Sequence, residues 1–432
     1  MSPKPKLFRD PVHDIIAFPK DTAEDRTLLA VIETPEVQRL RRVRQLGFSN
    51  LVYHGAEHSR FVHSMGVAHV ARRMLAAMRP DADARTRLAV TAAALCHDLG
   101  HGPFSHVAER IGHFHHEAVT LALVTTPGSG VHSALSRYDS DLPRDVARIY
   151  AERGSLSAIV SSQLDADRID YILRDGLATG VKIGVFDVQR ILTMLEEHGN
   201  VMAVSERALE AVEGYLLARF HMYKQVYLHK ASRAAEAMLD AVIRRARVLD
   251  EVGDSVLSSL GGPLTRLIRA ELHPEQDIPA LDDTDIWQAM KRFAGAGDPI
   301  LERLSRGLLE RRLFKTIPIP AGPEGDAVIE SARRTASACG LEPDFAVLID
   351  RSEESPYTPY IPGRGQEDES IPIALRGGGV VPIERISEVI GLLGRIHYRV
   401  SRLVVPPELA SHLVLPDATE AHDELDQIEL PL

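Results

Sequence analysis

A histidine and an aspartate stand side by side at His97 and Asp98, at the start of the segment HDLGHGPFSH. The same ten residues hold His101 and His106, separated by glycines and a proline. An imidazole nitrogen and a carboxylate oxygen are ligands that suit Mn, Fe, Zn, Mg or Co. Because the preceding run TAAALC is apolar, we expect the pair at the end of a buried helix, where titratable groups need a partner. The segment predicts a metal site, and a set of surface histidines at a helix end is the alternative.

Two more segments carry residues of the same chemistry. His63 lies in SRFVHSMGVAHV, where it opens an amphipathic helix three residues after Arg60. Taken alone, His63 would be a structural histidine. The second segment, SSQLDADRIDYILRDG, crowds four acids into one short helical stretch: Asp165, Asp167, Asp170 and Asp175. Taken alone, these acids would form a solvated helix face paired with Arg168 and Arg174.

Together and in chain order, these segments resemble a known family. FRDPVHD, TPEVQRLRRVRQLG, RFVHSMG, HDLGHGPFSH, LDADRIDY and FHMYKQVYLHK are similar to segments of the HD-domain superfamily of metal-dependent phosphohydrolases. The similarity is greatest to its branch of deoxynucleoside triphosphate (dNTP) triphosphohydrolases, and it covers roughly residues 1–230 well and the rest loosely. The resemblance implies one divalent metal ion (Mn, Fe, Mg, Zn or Co) with four ligands: His63, His97, Asp98 and Asp167.

The resemblance also implies residues for the reaction itself. His101, His106 and His116 would line the reaction centre, with His106 as the proton donor to the leaving oxygen. A histidine suits this role because its unperturbed pKa lies near neutrality. Glu109 follows His106 by one helical turn and would orient it, although relatives have aspartate at that position. For His101 and His116, a supporting position behind the reacting groups is the alternative.

Further residues fall where the family contacts its substrate. Arg168 replaces a lysine of some relatives, and an arginine can hold phosphate oxygens in a bidentate manner. Tyr227 would lie under the deoxyribose and exclude a 2′-hydroxyl. A core stripe of Phe220, Tyr223 and Tyr227 on an amphipathic helix is the alternative for that segment. The full implied set is Gln45, Leu46, Arg60, Arg168, Tyr171, Asp175, Arg219, Tyr223 and Tyr227.

The implied reaction is metal-dependent hydrolysis of a dNTP to a deoxynucleoside and inorganic triphosphate. A second hypothesis keeps the metal and changes the substrate, giving an HD-type phosphodiesterase or nucleotidase that acts on another nucleotide. A third is a non-catalytic, nucleotide-sensing regulator. The presence of all four ligands together with His106 argues against the third.

Some family members are activated by a guanine nucleotide that binds between subunits. Lys6, Glu33, Gln38 and Arg41 fall on the matching positions, with Glu33 where relatives have aspartate. Such a site implies GTP, dGTP or another dNTP as activator, and a homodimer or homotetramer that supplies the walls. The alternative is that Gln38 and Arg41 lie on an ordinary polar helix face.

The elements that must position these residues are mainly α-helical. We expect an HD-domain helical core with a smaller C-terminal α/β lobe, divided as residues 1–245 (HD phosphohydrolase domain with an N-terminal segment), 246–318 (helical extension) and 319–432 (C-terminal α/β lobe). Prolines predict an irregular stretch over residues 1–30. Apolar spacing predicts helices over 64–79 and 85–97, and then near 115–125, 143–153, 156–175, 187–197, 205–250, 285–294 and 299–313. Strand-like runs occupy 345–349, 371–375, 380–383 and 398–405, with a surface loop over 353–370 and a peripheral acidic tail from residue 417.

Composition narrows the class of protein. The net charge of −11 argues against broad nucleic-acid binding, which needs a basic face. No apolar run reaches the roughly 18–20 residues of a membrane helix, and the start of the chain has no apolar signal region. The two cysteines, Cys96 and Cys339, are expected to be reduced thiols, which suits a cytoplasmic protein. We interpret Cys96 as a core residue rather than a ligand.

Overall fold

The computed structural model describes residues 4–354, 357, 370–394 and 398–413. Helices dominate these residues, which confirms the prediction of a mainly α chain. In chain order they are α1 (Ala23–Ile32), α2 (Pro35–Arg39), α3 (Arg60–Met78), α4 (Ala84–Cys96), α5 (His106–Gly112), α6 (His116–Thr125), α7 (Gly130–Ser136), α8 (Leu142–Ala151), α9 (Ser155–Ala158), α10 (Ala166–Thr179), α11 (Val188–Thr193), α12 (Leu209–Met222), α13 (Lys230–Glu251), α14 (Gly262–Arg269), α15 (Pro274–Asp277), α16 (Asp283–Phe293), α17 (Pro299–Leu309), α18 (Pro323–Ala338), α19 (Pro343–Ala346), α20 (Glu388–Leu393) and α21 (Pro407–Ala410).

The strands among the described residues form three small sheets. They are β1 (Lys6–Asp10), β2 (Asp14–Phe18), β3 (Leu195–His198), β4 (Val201–Ser205), β5 (Lys315–Pro318), β6 (Leu348–Glu354), β7 (Pro372–Ala374), β8 (Val380–Pro382) and β9 (Tyr398–Val405). The sheet orders are β1-β2, β3-β4-β7-β8 and β5-β9-β6. Only the β4–β7 pair is parallel among these sheets, with Val204 opposite Ile373.

Helices α3, α4 and α10 pack together at the centre of the main hydrophobic core. Their starts have local causes: Asp83 caps α4 by accepting from Thr86 N at 2.8 Å, and Asp165 caps α10 by accepting from Arg168 N at 2.7 Å. The approach of α10 to α3 needs Gly66, because a Cβ there would overlap the Asp170 carboxylate. The three helices therefore carry their polar residues into direct contact inside an apolar core.

The segment predicted as one helix over 205–250 is interrupted. Helix α12 ends at Met222, a π-helical turn covers Tyr223–Tyr227, and α13 begins at Lys230 after His229 accepts from the Ala231 amide at 3.2 Å. The apolar period continues through the break, which is why the sequence pattern did not show it. Turns of this kind are frequent at functional sites.

The N-terminal 30 residues were predicted to be irregular, and this was wrong. Strands β1 and β2 pair as an antiparallel hairpin, and α1 follows. The prolines fall outside these elements: Pro11 lies in the hairpin turn and Pro19 directly follows β2. Inward-facing Ile16 and Phe18 are buried and fix the hairpin on the core.

Other boundaries also differ from the sequence prediction. The stretch 156–175 contains α9, a break, and α10 from Ala166, because the Asp165 cap starts a new helix. The stretch 187–197 ends as strand β3, and residues 345–346 belong to α19 before β6 begins at Leu348. Short apolar segments of this kind fit both the helical and the strand periodicity. Only their pairing partners in the folded structure decide between helix and strand. The predicted loop over 353–370 lies mostly outside the described residues, and the acidic tail from 417 lies entirely outside them.

The C-terminal region has its own small hydrophobic cluster, in which β5 and β9 pack with α18, α19 and α21. Its strands β7 and β8 join β3 and β4, so one sheet contains strands from both sides of the boundary predicted at residue 318. The three-part division stays a prediction. Within the described residues, no helix has the length and apolar character to cross a membrane. Cys96 is completely buried in the core and Cys339 is exposed.

Candidate metal centre and catalytic cavity

Three helices bring the four predicted metal ligands together. His63 lies on α3, His97 and Asp98 follow the end of α4, and Asp167 lies in the first turn of α10. The His63 Nε2 atom is 2.9 Å from Asp167 Oδ1. The His97 Nε2 atom is 3.2 Å from Asp98 Oδ1 and 3.6 Å from Asp167 Oδ1. These separations are those of neighbouring ligands around one cation at about 2.0–2.2 Å from each.

The protonation of the two imidazoles fits a metal ion. His97 donates from Nδ1 to the Ala94 carbonyl at 2.8 Å, and His63 donates from Nδ1 to the Asp170 carboxylate at 2.8 Å. When a metal ion displaces the Nε2 proton, each ring can therefore offer the lone pair of Nε2 to the ion. The His97 Nε2 atom is buried and has no hydrogen-bond partner among the described residues, although two carboxylates face it. A divalent cation would satisfy this atom and both carboxylates.

The electrostatics of the centre favour positive charge. Burial lowers the pKa of His63, but bonds to Asp167 and Asp170 outweigh it and raise that pKa to about 10. Burial raises the pKa of Asp98, and the contacting Arg60 guanidinium together with His97 brings it well below its usual range. The centre therefore holds ionised carboxylates and attracts a proton or a metal ion at neutral pH.

A network behind His63 fixes its ring. The Asp170 carboxylate accepts from His63 through Oδ2 and from His13 Nε2 through Oδ1 at 2.6 Å. Arg174 donates to both Asp170 oxygens at 2.8 and 2.9 Å and to Asp10 at 2.9 Å. Sequence analysis did not assign roles to His13 or Asp170. The i,i+3 spacing of Asp167 and Asp170 was a usable signal, whereas His13 lies 157 residues away in the chain.

One carboxylate gathers the predicted catalytic histidines. Glu109 Oε1 lies 3.0 Å from His101 Nδ1 and 3.2 Å from His106 Nδ1, and Oε2 lies 3.0 Å from His116 Nδ1. The rings of His101 and His116 stack with centroids 3.8 Å apart. Burial, assisted by nearby Arg60, lowers the pKa of His101 to about 4, so it is neutral at pH 7. The four ligand atoms lie within 4.8 Å of one another, a spacing that could also hold an ion.

A cavity of about 770 Å³ joins the two groups. The His106 side chain is 75% exposed, whereas His63 is fully buried behind the centre. On another wall, the Tyr227 hydroxyl donates to Asp175 Oδ2 at 2.9 Å. The predicted residues that line the cavity are Gln45, Leu46, Arg60, His97, Asp98, His101, His106, His116, Asp167, Tyr171, Asp175, Tyr223 and Tyr227.

Comparisons with known proteins show the family of this chain. Residues 60–174 match the HD domain family, and residues 186–260 match the HD associated region. A phosphohydrolase from Bacteroides thetaiotaomicron superposes with a TM-score of 0.77 at 30% identity, covering 93% of this chain and 100% of that chain. The chain belongs to the HD-domain superfamily of metal-dependent phosphohydrolases.

Two further relatives show the range of this HD-domain group. The Bacillus subtilis protein YwfO is 35% identical over 412 residues, which is 94% of this chain and 93% of that protein. The deoxynucleoside triphosphate triphosphohydrolase SAMHD1 of Gallus gallus is 31% identical over 289 residues. That match covers 56% of this chain and 45% of the Gallus gallus protein, so the HD-domain enzyme spans less than half of that relative.

Two predicted substrate residues lie beside the cavity of this HD-domain enzyme rather than along it. Arg168 donates from Nε to the Ser162 carbonyl at 2.6 Å, and Arg219 donates to Gln163 Oε1 at 2.7 Å. Neither is among the lining residues, so their contact with phosphate stays a prediction. The lining also includes Arg110, Arg233 and Glu236, which sequence analysis missed. Arg233 donates from Nη2 to Asp350 Oδ1 at 2.7 Å. The two residues are 117 positions apart, so no local sequence pattern predicts the pair.

Of the four residues predicted for a second nucleotide site, Gln38 and Arg41 contact each other. Arg41 donates to Gln38 Oε1 at 2.8 Å, and its guanidinium lies 3.5 Å from the centroid of the Phe61 ring. Gln38 also donates to the Ile32 carbonyl at 2.7 Å, next to exposed Glu33. Lys6 is exposed on β1, 5.5 Å above the Phe8 ring. The role of these residues stays a prediction.

Proposed function

We propose that this HD-domain enzyme hydrolyses dNTPs to a deoxynucleoside and inorganic triphosphate. One continuous cavity carries the proposal. It joins the predicted metal centre, the cluster of His101, His106, Glu109 and His116, and a tyrosine wall formed by Tyr171 and Tyr227. Each part answers one need of the reaction: charge at the phosphate, a proton for the leaving oxygen, and a surface for the sugar. The relatives named deoxynucleoside triphosphate triphosphohydrolases support the choice of substrate.

His63, His97, Asp98 and Asp167 would hold the ion. Bound there, a divalent cation supplies positive charge that polarises a phosphate and makes water more acidic. Arg60 contacts Asp98 and donates from Nε to Ser105 Oγ at 2.9 Å, so it fixes one ligand and the adjoining loop together. Its charge also adds to the positive potential that receives a polyanion.

The proton for the leaving group comes from His106. Hydrolysis forms a bond between the oxygen of water and the α-phosphorus and breaks the bond to the 5′-oxygen of the nucleoside, which must gain a proton. His106 lies on the cavity wall, and Glu109 is 3.2 Å from its Nδ1. In this role His106 gives a proton from Nε2 and is then reprotonated from solvent. His116 holds Glu109 in place through its other oxygen, with Nδ1 at 3.0 Å from Oε2.

The tyrosine wall would select the sugar. Tyr171 and Tyr227 meet edge to face with ring centroids 5.9 Å apart, and the Tyr227 hydroxyl is engaged by Asp175. A tyrosine that is fixed in this way cannot swing aside for an added hydroxyl. We therefore expect discrimination against the 2′-hydroxyl of ribonucleotides.

The test is a chromatographic assay of the four dNTPs and four NTPs with Mn²⁺ or Mg²⁺. We expect deoxynucleoside and triphosphate from dNTPs, and at least tenfold lower rates with NTPs. Release of orthophosphate, or turnover of only cyclic or monophosphate nucleotides, would instead indicate the phosphodiesterase or nucleotidase alternative. Absence of metal-dependent turnover of any nucleotide would indicate a nucleotide-sensing regulator.

Activation by a guanine nucleotide is a separate part of the proposal. It is supported by the pairing of Gln38 with Arg41 beside exposed Glu33, and by exposed Lys6 on the N-terminal hairpin. It requires a homodimer or homotetramer, which light scattering with and without GTP would detect. If GTP and dGTP change neither the rate at any dNTP concentration nor the oligomeric state, this part is wrong and the hydrolytic function is unaffected.

A further inference from the structure

The loop that leads into His106 is strained at two consecutive residues. Phe104 has φ of 53° and Ser105 has φ of 50°, a region that side-chain-bearing residues rarely adopt. Both are buried, and α5 begins at the next residue, His106. Such a conformation persists only if surrounding contacts enforce it. The direction in which His106 enters the cavity therefore depends on what holds this loop.

Two side chains hold it: Arg60 donates to Ser105 Oγ, and a buried carboxylate accepts from the Phe104 amide. Asp283, the first residue of α16, accepts from the Phe104 amide through Oδ1 at 2.8 Å. Its other oxygen, Oδ2, accepts from the Arg44 amide at 2.9 Å. Arg44 directly precedes Gln45 and Leu46, which line the same cavity. One side chain thus joins the loop that carries His106 to the loop that carries two predicted substrate contacts.

We propose that Asp283 is a positioning residue for catalysis, which sets the His106 loop and the Gln45–Leu46 loop relative to each other. The proposal rests on the proposed function for the role of His106, but the loop geometry itself does not. Burial raises the pKa of Asp283 to about 6, so at neutral pH the carboxyl is ionised and both oxygens accept. Asp283 is only 3% exposed, so no water replaces these bonds.

Asp283 is not the residue that caps helix α16, so capping does not explain why its carboxylate is buried at this junction. The cap is the neighbouring Asp282, whose side chain accepts from Thr284 N at 2.9 Å and completes a capping box with Asp285. Asp282 also pairs with Arg42 at 2.5 Å. The two adjacent aspartates therefore have different roles: Asp282 caps the helix, and Asp283 accepts hydrogen bonds from two loops. Asp282→Asn is accordingly a matched control for Asp283→Asn.

The chain contains its own probe of this junction. Trp287 is the single tryptophan of the sequence and lies one turn along α16 from Asp283. Its ring is 5.7 Å from Phe104 and 5.9 Å from Phe48, centroid to centroid. Phe48 and Phe104 stack at 4.3 Å. Loosening of the loop should expose Trp287 to a quencher.

The first experiment compares wild type, Asp283→Asn and Asp282→Asn, all loaded with metal. An asparagine presents one acceptor and one donor, so one of the two amides loses its partner. For Asp283→Asn we expect kcat to fall about 10- to 100-fold, since small misplacements of a catalytic group cost that much, with unchanged metal content and stronger acrylamide quenching of Trp287. For Asp282→Asn we expect a lower Tm with kcat within about twofold of wild type. Equal losses of kcat in both variants, or wild-type kcat in Asp283→Asn, would overturn the proposal.

The second experiment needs no variant and no substrate. In hydrogen exchange of wild type, resolved to single residues, the amides of Arg44 and Phe104 should exchange at least tenfold more slowly than unbonded amides of the same loops. Exchange as fast as those neighbours would overturn the proposal even if Asp283→Asn failed to fold. Because this readout involves no turnover, it separates failure of the loop tie from failure of the proposed dNTP hydrolysis.

Discussion

The two sides of the cavity are built in opposite ways. On the metal side, every carboxylate faces a partner: Asp98 meets Arg60, Asp167 meets His63, and Asp170 meets both His63 and Arg174. On the other side, the Glu109 carboxylate lies within 3.2 Å of three histidines, and one of them, His106, is mostly exposed. The metal side is carried by long, buried helices, whereas His106 follows a strained loop and opens the short helix α5.

The difference matches the work expected of each side. A metal ligand must keep one position and one charge, so its partners are fixed by neighbouring bonds. A proton donor must change charge in each cycle, so an imidazole that is open to water, as His106 is, suits this role. Variants on the two sides should therefore separate metal binding from turnover.

Removal of the ligands on the metal side should abolish activity. In the variant that combines His97→Ala with Asp98→Ala, the centre loses two of four ligands and we expect metal content near zero and a rate at least about 10³-fold lower. Elemental analysis and the dNTP assay measure both. His115→Ala, which changes an exposed histidine one residue from His116, is the control and should match wild type. Retention of full activity by the double variant would refute the assignment of the centre.

Changing the proton side should leave the metal in place. For His106→Gln we expect kcat to fall by about 10²- to 10⁴-fold, the usual range for loss of a general acid, with unchanged metal content. Glu109→Gln should show the same separation of rate from metal. A drop of one metal ion per chain in both variants would contradict the proton role and show that the cluster of His101, His106, Glu109 and His116 is a second metal centre.

The support behind His63 should affect affinity more than chemistry. Asp170→Asn leaves His63 without its charged acceptor, and we expect metal affinity to weaken about 10- to 100-fold. Because all four ligands remain, kcat at saturating metal should stay within a few-fold of wild type. Titration of metal-free protein with Mn²⁺ measures this, and His13→Gln should show a smaller weakening. Unchanged affinity in both variants would mean that the helices alone orient His63.

The smallest effect concerns stability rather than activity. Burial, with neighbouring His13 and Arg73, lowers the pKa of His69 to about 4. The unfolded chain then binds a proton at His69 below pH 6.5 while the folded chain does not until about pH 4, so stability falls as pH decreases through this window. Partial exposure limits the loss to at most about 2 kcal/mol. His69→Gln should therefore lose less Tm than wild type between pH 6.5 and 4, and equal slopes would contradict this.

Local sequence patterns were sufficient for much of the fold. The apolar run before His97 predicted α4 and its end, and the apolar spacing after His63 predicted most of α3. The N-terminal hairpin was missed because its prolines suggested irregular chain, while its pairing depends on contact with the core. The break at Tyr223–Tyr227 was missed because a π turn preserves the apolar stripe on both sides.

By itself, the sequence placed a candidate metal pair and two further histidines in one segment, and the family resemblance assigned the proton to His106. The types and spacings at His97, Asp98, His101 and His106 are local properties of one segment, and helical periodicity carries them into structure. Only the tertiary structure decided what fixes them. His13 reaches Asp170 across 157 residues and Asp283 reaches Phe104 across 179, and no short-range pattern encodes such contacts. The physical reason is that these bonds form only once burial has removed the water that would otherwise compete for them.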